Sequence, residues 1–338
     1  MNQHIISRYT WLAALIIWLA AACKKNDAVD STPPVIHSVT TLTDRATPIT
    51  TSTLGQWVLI KGAHLAGTKS VAFNSITIGT ADLYANDTSV TVKVPEKIAE
   101  QVNNKITVTT PFGTVSFDFQ VLQPAPLIYS FDPLGGAGGT EVNIAGNWFQ
   151  HLKSVKINDL DAQIVASTDT SIKVKLPAAA TPGFFTIATD GGVTKSSNAF
   201  GFSYMIYDDA LNTGWWEGSW SSTVDKANTE KVRSGQDAIK IQYQPFGALQ
   251  IGNNLSTAGY TYMKVSLYGG AGTDGKQVKL VLNGNGGSGV LLTLKGEKWA
   301  DFTVPLSSLG APAVISTLWL QEFSNANSLV YVDALGLF

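Results

Sequence analysis

Trp57-Val58-Leu59-Ile60-Lys61-Gly62, then Leu65, then Lys69-Ser70-Val71-Ala72-Phe73-Asn74, is the most telling stretch of this chain, because it occurs twice. Its second occurrence runs Val142-Asn143-Ile144-Ala145-Gly146, then Phe149, then Lys153-Ser154-Val155-Lys156-Ile157-Asn158. Gly62 and Gly146 are 84 positions apart, as are Lys69 and Lys153. Further on, Asp87-Thr88-Ser89-Val90-Thr91-Val92-Lys93-Val94-Pro95 is answered at an offset of 82 by Asp169-Thr170-Ser171-Ile172-Lys173-Val174-Lys175-Leu176-Pro177. A two-residue loop difference lies between. Each copy has the period-two alternation of half-buried strands broken by turn residues. Each is about 80 to 90 residues long, enough for one small β-sandwich with its own core. Trp57 and Trp148 sit inside these motifs and read as packing residues.

Outside the repeat the composition points the same way. Only 14% of the 338 residues are charged, while 31 are glycine, and strand-like alternation recurs between Gly, Asn and Asp turns. No amphipathic helix is evident, so the chain reads as all-β with two or three domains. Its 23 basic and 25 acidic residues give a net charge of −2, which offers no electrostatic footprint for nucleic acid.

The N-terminus carries a different signal. Residues Trp11 to Ala22 are apolar throughout, preceded by Arg8 and followed by Cys23 and two lysines. A helix of that length covers ~18 Å, too short for a hydrocarbon core of ~30 Å. Small residues (Ala20, Ala21, Ala22) before the cysteine complete a signal-peptide pattern. Cys23 is the only cysteine, so no disulfide can form within the chain. The arrangement resembles a bacterial lipoprotein in which residues 1–22 are removed and Cys23 is lipidated, with 23–33 as a tether. Ala20 stands where that motif usually has leucine. Lys24, Lys25, Asn26 and Asp27 resemble the export signal of surface lipoproteins in the Bacteroidetes.

From Tyr207 onward the repeat stops. Ile239, Ile241 and Tyr243 alternate with Lys240 and Gln242; Met263, Val265 and Leu267 with Lys264, Ser266 and Tyr268; Leu318 and Leu320 with Trp319 and Gln321. This predicts a further two-layer sandwich.

The motif order of the two copies resembles the IPT/TIG immunoglobulin-like domain, which predicts such domains over 34–124 and 125–205. Tyr207-Asp208-Asp209-Ala210-Leu211, Ser234-Gly235-Gln236-Asp237-Ala238, Trp299…Val304-Pro305-Leu306 and Val330-Tyr331-Val332-Asp333 are similar to strands of carbohydrate-binding jelly rolls, which predicts a jelly-roll-type β-sandwich over 206–338. Together the chain resembles the surface glycan-binding lipoproteins of Bacteroidetes polysaccharide-utilisation systems. That resemblance implies a lipid-anchored outer-membrane protein exposed at the cell surface. Its implied partners are a polysaccharide, β-linked by preference, and outer-membrane uptake machinery.

Sugar chemistry narrows the candidates. A pyranose offers an apolar face to a flat aromatic ring and a hydroxyl rim to amides and charged groups. Trp215, Trp216 and Trp220 crowd one Gly/Ser-rich segment, where burying all three is hard. Trp319, Gln321 and Phe323 share one strand face, and Lys240, Gln242, Lys264, Tyr268 and Asn283 are expected to join it. The alternative for Trp215 or Trp220 is a core plug. Asp208 or Asp209 beside Asp333 would give hard oxygen ligands for the structural Ca²⁺ that the resemblance implies, against an alternative in which Asp333 is a solvated or hydrogen-bonded strand-end residue. No other cofactor is implied. No histidine lies beyond His151, which excludes a Ser-His-Asp arrangement in the terminal domain. The chain reads as a non-enzyme; the alternatives are an adhesin binding a protein partner, or a glycosidase using a carboxylate pair.

Overall fold

A computed structural model describes residues 31–338; the signal segment, Cys23 and most of the tether lie outside the described residues. The chain is nearly all strand and divides into two compact units, one ending at Leu122 and one spanning Gln123–Phe338.

The first unit is the first copy of the repeat. One sheet orders Val35–Thr41, Trp57–Ala63, Ser89–Lys93 and Leu83–Ala85; the facing sheet orders Ile76–Gly79, Ser70–Phe73, Lys105–Thr110 and Gly113–Asp118. The second copy repeats this order strand for strand: Leu127–Asp132, Glu141–Asn147, Ser171–Lys175 and Gln163–Ser167 against Leu160–Asp161, Leu152–Ile157, Gly183–Thr189 and Gly192–Phe200.

The repeated letters have a physical cause. In both copies the opening strand carries a bulge, between Ile36 and Ser38 and between Ile128 and Ser130. The bulge presses a carbonyl toward the motif glycine: a Cβ at Gly62 would lie 1.9 Å from the Val35 oxygen, and one at Gly146 2.0 Å from the Leu127 oxygen. No other residue fits there. The same glycine N–H groups donate to the carbonyls of Thr88 and Thr170, and the N–H groups of Leu65 and Phe149 to those of Asp87 and Asp169, at 2.9–3.1 Å. The Gly-x-x-Leu/Phe and Asp-Thr-Ser motifs are therefore two halves of one hydrogen-bonded corner. Trp57 departs from expectation: it is 41% exposed on the outer side of its sheet, not packed in the core.

The terminal sandwich is built on one 19-residue strand, Ala238–Ser256, which serves both layers. Its first half pairs with Trp220–Asn228 and Ser328–Leu337; the latter continues to Tyr262–Gly269 and Trp299–Pro305. Its second half pairs with Trp216–Glu217 and Val314–Glu322; the latter continues to Gln277–Leu282 and Val290–Thr293. The switch falls at Pro245-Phe246-Gly247, where proline removes a donor and Phe246 takes a positive φ of 59°. Ile239, Ile241, Leu267 and Val332 from one layer meet Leu249, Ile251, Leu280, Leu318 and Leu320 from the other in the core.

The second copy and the terminal sandwich form one unit because they share packing. Ala334 belongs to the core of the second copy, Phe184 packs on Tyr262 and Phe338, and the Ala199 N–H donates to Thr303 Oγ1. Arg233 is forked onto Asp301 (3.1–3.2 Å) and also donates to the Phe131 carbonyl. Lys264, buried, donates to the carbonyl of Gly201 at 2.9 Å and sits 3.9 Å from the Phe202 ring centroid.

Candidate functional site: two outer faces of the terminal sandwich

Alternation fixes which side chains leave the core, and register fixes what they meet. On the second layer, Gln250, Trp319 and Val281 form one outer row and Ala248, Gln321 and Lys279 the next. Trp220 pairs with Ala248 and Trp216 with Gly252 at the layer's edge. A Cβ at Gly252 would strike the Trp216 ring at 2.2 Å, so this glycine lets the indole lie against the sheet. Trp216 is 46% exposed, and Phe246 and Phe323 are likewise exposed. Trp220 and Trp319 meet edge to face at 5.1 Å, as do Phe246 and Phe323 at 6.4 Å.

Polar groups border these rings. Gln321 Nε2 and Trp220 Nε1 both donate to the Phe246 carbonyl (3.1 and 3.3 Å), and Lys279 Nζ lies 4.6 Å from the Phe323 ring centroid. The indole N–H of Trp319 is buried and has no hydrogen-bond partner. We call this the tryptophan face. It unites Trp216, Trp220, Trp319, Gln321 and Phe323 of the expected set and adds Phe246 and Lys279, which the sequence reading missed. The signal for Phe246 was the Pro-Phe-Gly break between two alternating runs.

The remaining expected residues lie elsewhere. Trp215 is in the core, its Nε1 donating to Tyr204 Oη, at the end of a turn closed by its N–H on the Asn212 carbonyl, while Trp216 begins the strand and is exposed. Asn283 sits at the end of the same layer with a φ of 52°; its Oδ1 accepts from the Ser316 and Thr317 N–H groups and its Nδ2 donates to the Val314 carbonyl, so it locks a turn. Tyr268 belongs to the other layer, as do Lys240, Gln242 and Lys264.

On that opposite face Tyr268 stacks edge-on between Trp299 and Tyr331 at 5.6 and 5.7 Å. Tyr268 and Tyr331 are roofed rather than open. Lys231 lies over Tyr268, and Lys240 over Tyr331 while paired with Glu230, whose carboxylate accepts from Tyr331 Oη at 2.6 Å. Burial, helped by the Glu230 charge, pushes the Tyr331 phenol up to about 12.

Of the three aspartates, Asp208 is near enough to Asp333 for the two charges to interact, while Asp209 is engaged by another turn. Asp333 is fully buried, its carboxylate accepting from the N–H groups of Arg233, Ser234 and Ala334. Burial, against those bonds, raises its pKa, and Asp208 adds to the rise. Asp209 faces another turn, accepting from the N–H groups of Gln236 and Asp237. Among the described residues no group of three or more His, Cys, Asp or Glu is arranged to hold a metal. Asp333 is hydrogen-bonded, but it lies buried in the middle of the strand Ser328–Leu337 rather than at a strand end.

Comparison with known proteins agrees with this architecture. The IPT/TIG domain model matches residues 126–204. An IPT/TIG domain-containing protein of Bacteroides ovatus is 26% identical over 171 residues, covering 46% of this chain but only 34% of that protein, so the match spans about a third of its length. Among solved structures, a surface glycan-binding protein from Prevotella bryantii aligns with a TM-score of 0.51 at 15% identity, over 90% of this chain and 98% of that one. A protein from a complex xyloglucan utilization locus in Bacteroides uniformis aligns over 90% and 99% of the two chains, with 15% identity and a TM-score of 0.41. Residues 126–204 thus match the IPT/TIG domain model, in an all-β chain whose fold is similar to that of a solved surface glycan-binding protein.

Proposed function

We propose that this chain is a non-catalytic glycan-binding lipoprotein, anchored through Cys23 to the outer membrane and exposed at the cell surface. In this reading the tryptophan face captures polysaccharide and the two repeat domains act as spacers. The captured polymer passes to outer-membrane uptake machinery.

The observation that carries the reading is a row of rings on one outer sheet face, with Trp216, Phe246 and Phe323 exposed and Trp220 and Trp319 half-buried between them, bordered by Gln321, Gln250 and Lys279. Flat rings take up the apolar faces of successive sugars, while the amides and the ammonium satisfy their hydroxyls. The surface is formed by paired strands, so binding needs little rearrangement. A broad open face suits the side of an extended chain, which favours β-linked polymers. The fold likeness to a protein named for surface glycan binding supports the same class of ligand.

Affinity electrophoresis of the chain in gels containing mixed-linkage β-glucan, xyloglucan or galactomannan tests this. Retardation in at least one gel is expected, and it should be clearly weaker in the Trp216→Ala/Trp319→Ala variant. Mobility unchanged in every gel, or retardation untouched by that variant, overturns the proposal. Reducing ends released from any of the polymers would overturn its non-catalytic part.

A further inference from the structure

The two copies of the repeat are an internal control, because one fold is written with two different outer surfaces. In the first copy Trp57 pairs with Lys93, and Tyr84 with Thr91 on the other side of the same strand. In the second copy the corresponding pairs are Glu141 with Lys175, and Ala166 with Lys173. There Glu141 also forms an ion pair with Lys173 at 2.6 Å, which closes the surface with charge. The fold therefore does not require rings at these two positions. Yet the first copy places a tryptophan 41% exposed and a tyrosine 73% exposed there.

The two rings border a depression of about 300 Å³ lined by Ile78, Asp82, Lys93 and Glu96 as well. That volume is at the lower end for small-ligand pockets. Trp57 and Tyr84 stand on strands flanking a shared neighbour, so their backbones are roughly 10 Å apart across the sheet. Lys93 and Glu96 are paired with each other, and that bond holds the Glu96 carboxyl below its ordinary value. The rim is thus polar but close to neutral, with Asp82 adding one acceptor. Two exposed rings, a shallow depression and a near-neutral hydrogen-bonding rim suit a hydroxylated, uncharged ligand. They do not suit an anionic sugar or a nucleic acid, which would face Asp82 and Glu96.

We infer that the first repeat domain carries a second saccharide-binding site, in which Trp57 and Tyr84 stack on sugar rings and Asp82, Lys93 and Glu96 take hydroxyls. This domain is then a ligand-binding module as well as a spacer. The site stands independently of the tryptophan face.

The test uses the full chain and residues borrowed from the second copy, Trp57→Glu and Tyr84→Ala, which the fold already accepts at equivalent positions. The probes are mixed-linkage β-glucan, xyloglucan and galactomannan in affinity gels. With the tryptophan face removed by Trp216→Ala/Trp319→Ala, retardation by at least one polymer is expected to persist. It should vanish when Trp57→Glu/Tyr84→Ala is added and be retained with Trp57→Tyr, which keeps a flat ring. In the otherwise unaltered chain, Trp57→Glu/Tyr84→Ala should weaken binding of a long polymer about tenfold or more, where both sites engage it. An unchanged melting temperature shows that the loss is not unfolding.

The outcomes separate the two sites. If the tryptophan-face variant alone abolishes all retardation and Trp57→Glu/Tyr84→Ala changes nothing, this inference fails and the proposed function stands. If retardation depends only on Trp57 and Tyr84, the reverse holds. A chain that no polymer retards overturns both, and leaves the Trp57 surface as a protein-docking candidate instead.

Discussion

The terminal sandwich carries aromatic residues on both outer faces, and only one of them is open. On the tryptophan face the rings of Trp216, Phe246 and Phe323 reach solvent. On the opposite face Tyr268 and Tyr331 are 9% and 3% exposed. The difference comes from what stands above the sheet. Lys231, Lys240 and Glu230 roof one end of the tyrosine face, while Lys264 and Thr303 at its other end are taken up by the second repeat domain. On the tryptophan face Lys279 stands beside Phe323, yet Trp216, Phe246 and Phe323 stay exposed. Aromatic content marks a surface worth inspecting; its roof decides whether a ligand can use it.

The sharpest test of this contrast is a crossed pair of substitutions. Tyr268→Ala removes a buried ring and should cost about 3–5 kcal/mol of stability. Polysaccharide binding by the variant that remains folded should be unchanged. Trp319→Ala should do the opposite, costing less stability but weakening binding about thirtyfold, near 2 kcal/mol. Thermal melts and affinity electrophoresis of both variants read the result. Loss of binding in Tyr268→Ala without unfolding would break the comparison.

A smaller effect is expected where the tyrosine face meets the second repeat domain. Arg233 and Asp301 are 15% and 17% exposed at the side chain, and the guanidinium also serves Phe131. Arg233→Ala strands a largely buried carboxylate and should cost about 3 kcal/mol. For a unit of this size that lowers the melting temperature by roughly 6–12 °C. Retardation in polysaccharide gels, measured well below the transition, should not change.

These contrasts also show how far the sequence could be read. The repeat was legible because one bulged corner imposes Gly62 and Gly146, and the hydrogen bonds of that corner impose its spacing. Trp319, Gln321 and Phe323 were legible because alternation along one strand fixes a side. Alternation cannot say which layer a strand joins. Tyr268 and Lys240 were therefore grouped with Trp319, although Ala238–Ser256 crosses between layers and separates them. Nor does it show roofing: Lys231 and Glu230 come from a loop whose path depends on the finished fold. Trp215, Trp216 and Trp220 were all candidates for sugar contact, and only the strand pairing of Trp216 with Gly252 separates the outer ring from the buried Trp215.

The docked end of the tyrosine face should also show in the pH dependence of stability. Burial pulls the Lys264 amine down to about 7, against the favourable charge of Asp301. Below pH 7 the amine is protonated both folded and unfolded. Between pH 7 and its ordinary value near 10.4, the unfolded chain holds a proton that the folded chain has released, so stability rises with pH. The gain from pH 7 to 9 is about 2 kcal/mol at most, since the carbonyls of Gly201 and Leu134 and the Phe202 ring favour the ammonium. Lys264→Met should flatten that rise. Polysaccharide binding should follow neither the pH change nor the substitution, because Lys264 is on the other face.

The finest distinction lies within the tryptophan face itself. Lys279 is the counterpart of Lys231 and Lys240: an ammonium beside an aromatic ring. The difference is that Phe323 stays 38% exposed beside it, whereas Tyr268 and Tyr331 do not. If Lys279 borders the ligand rather than roofing the sheet, Lys279→Met should weaken polysaccharide binding about two- to fivefold, the scale of one exposed cation–π contact or hydrogen bond. Its melting temperature should hardly move. A roofing lysine gives the opposite pattern: its removal uncovers Phe323, so binding holds or tightens while stability falls. Titrating Lys279→Met and Lys231→Met side by side against the same polymer separates the two roles, because only the first substitution should reach the ligand.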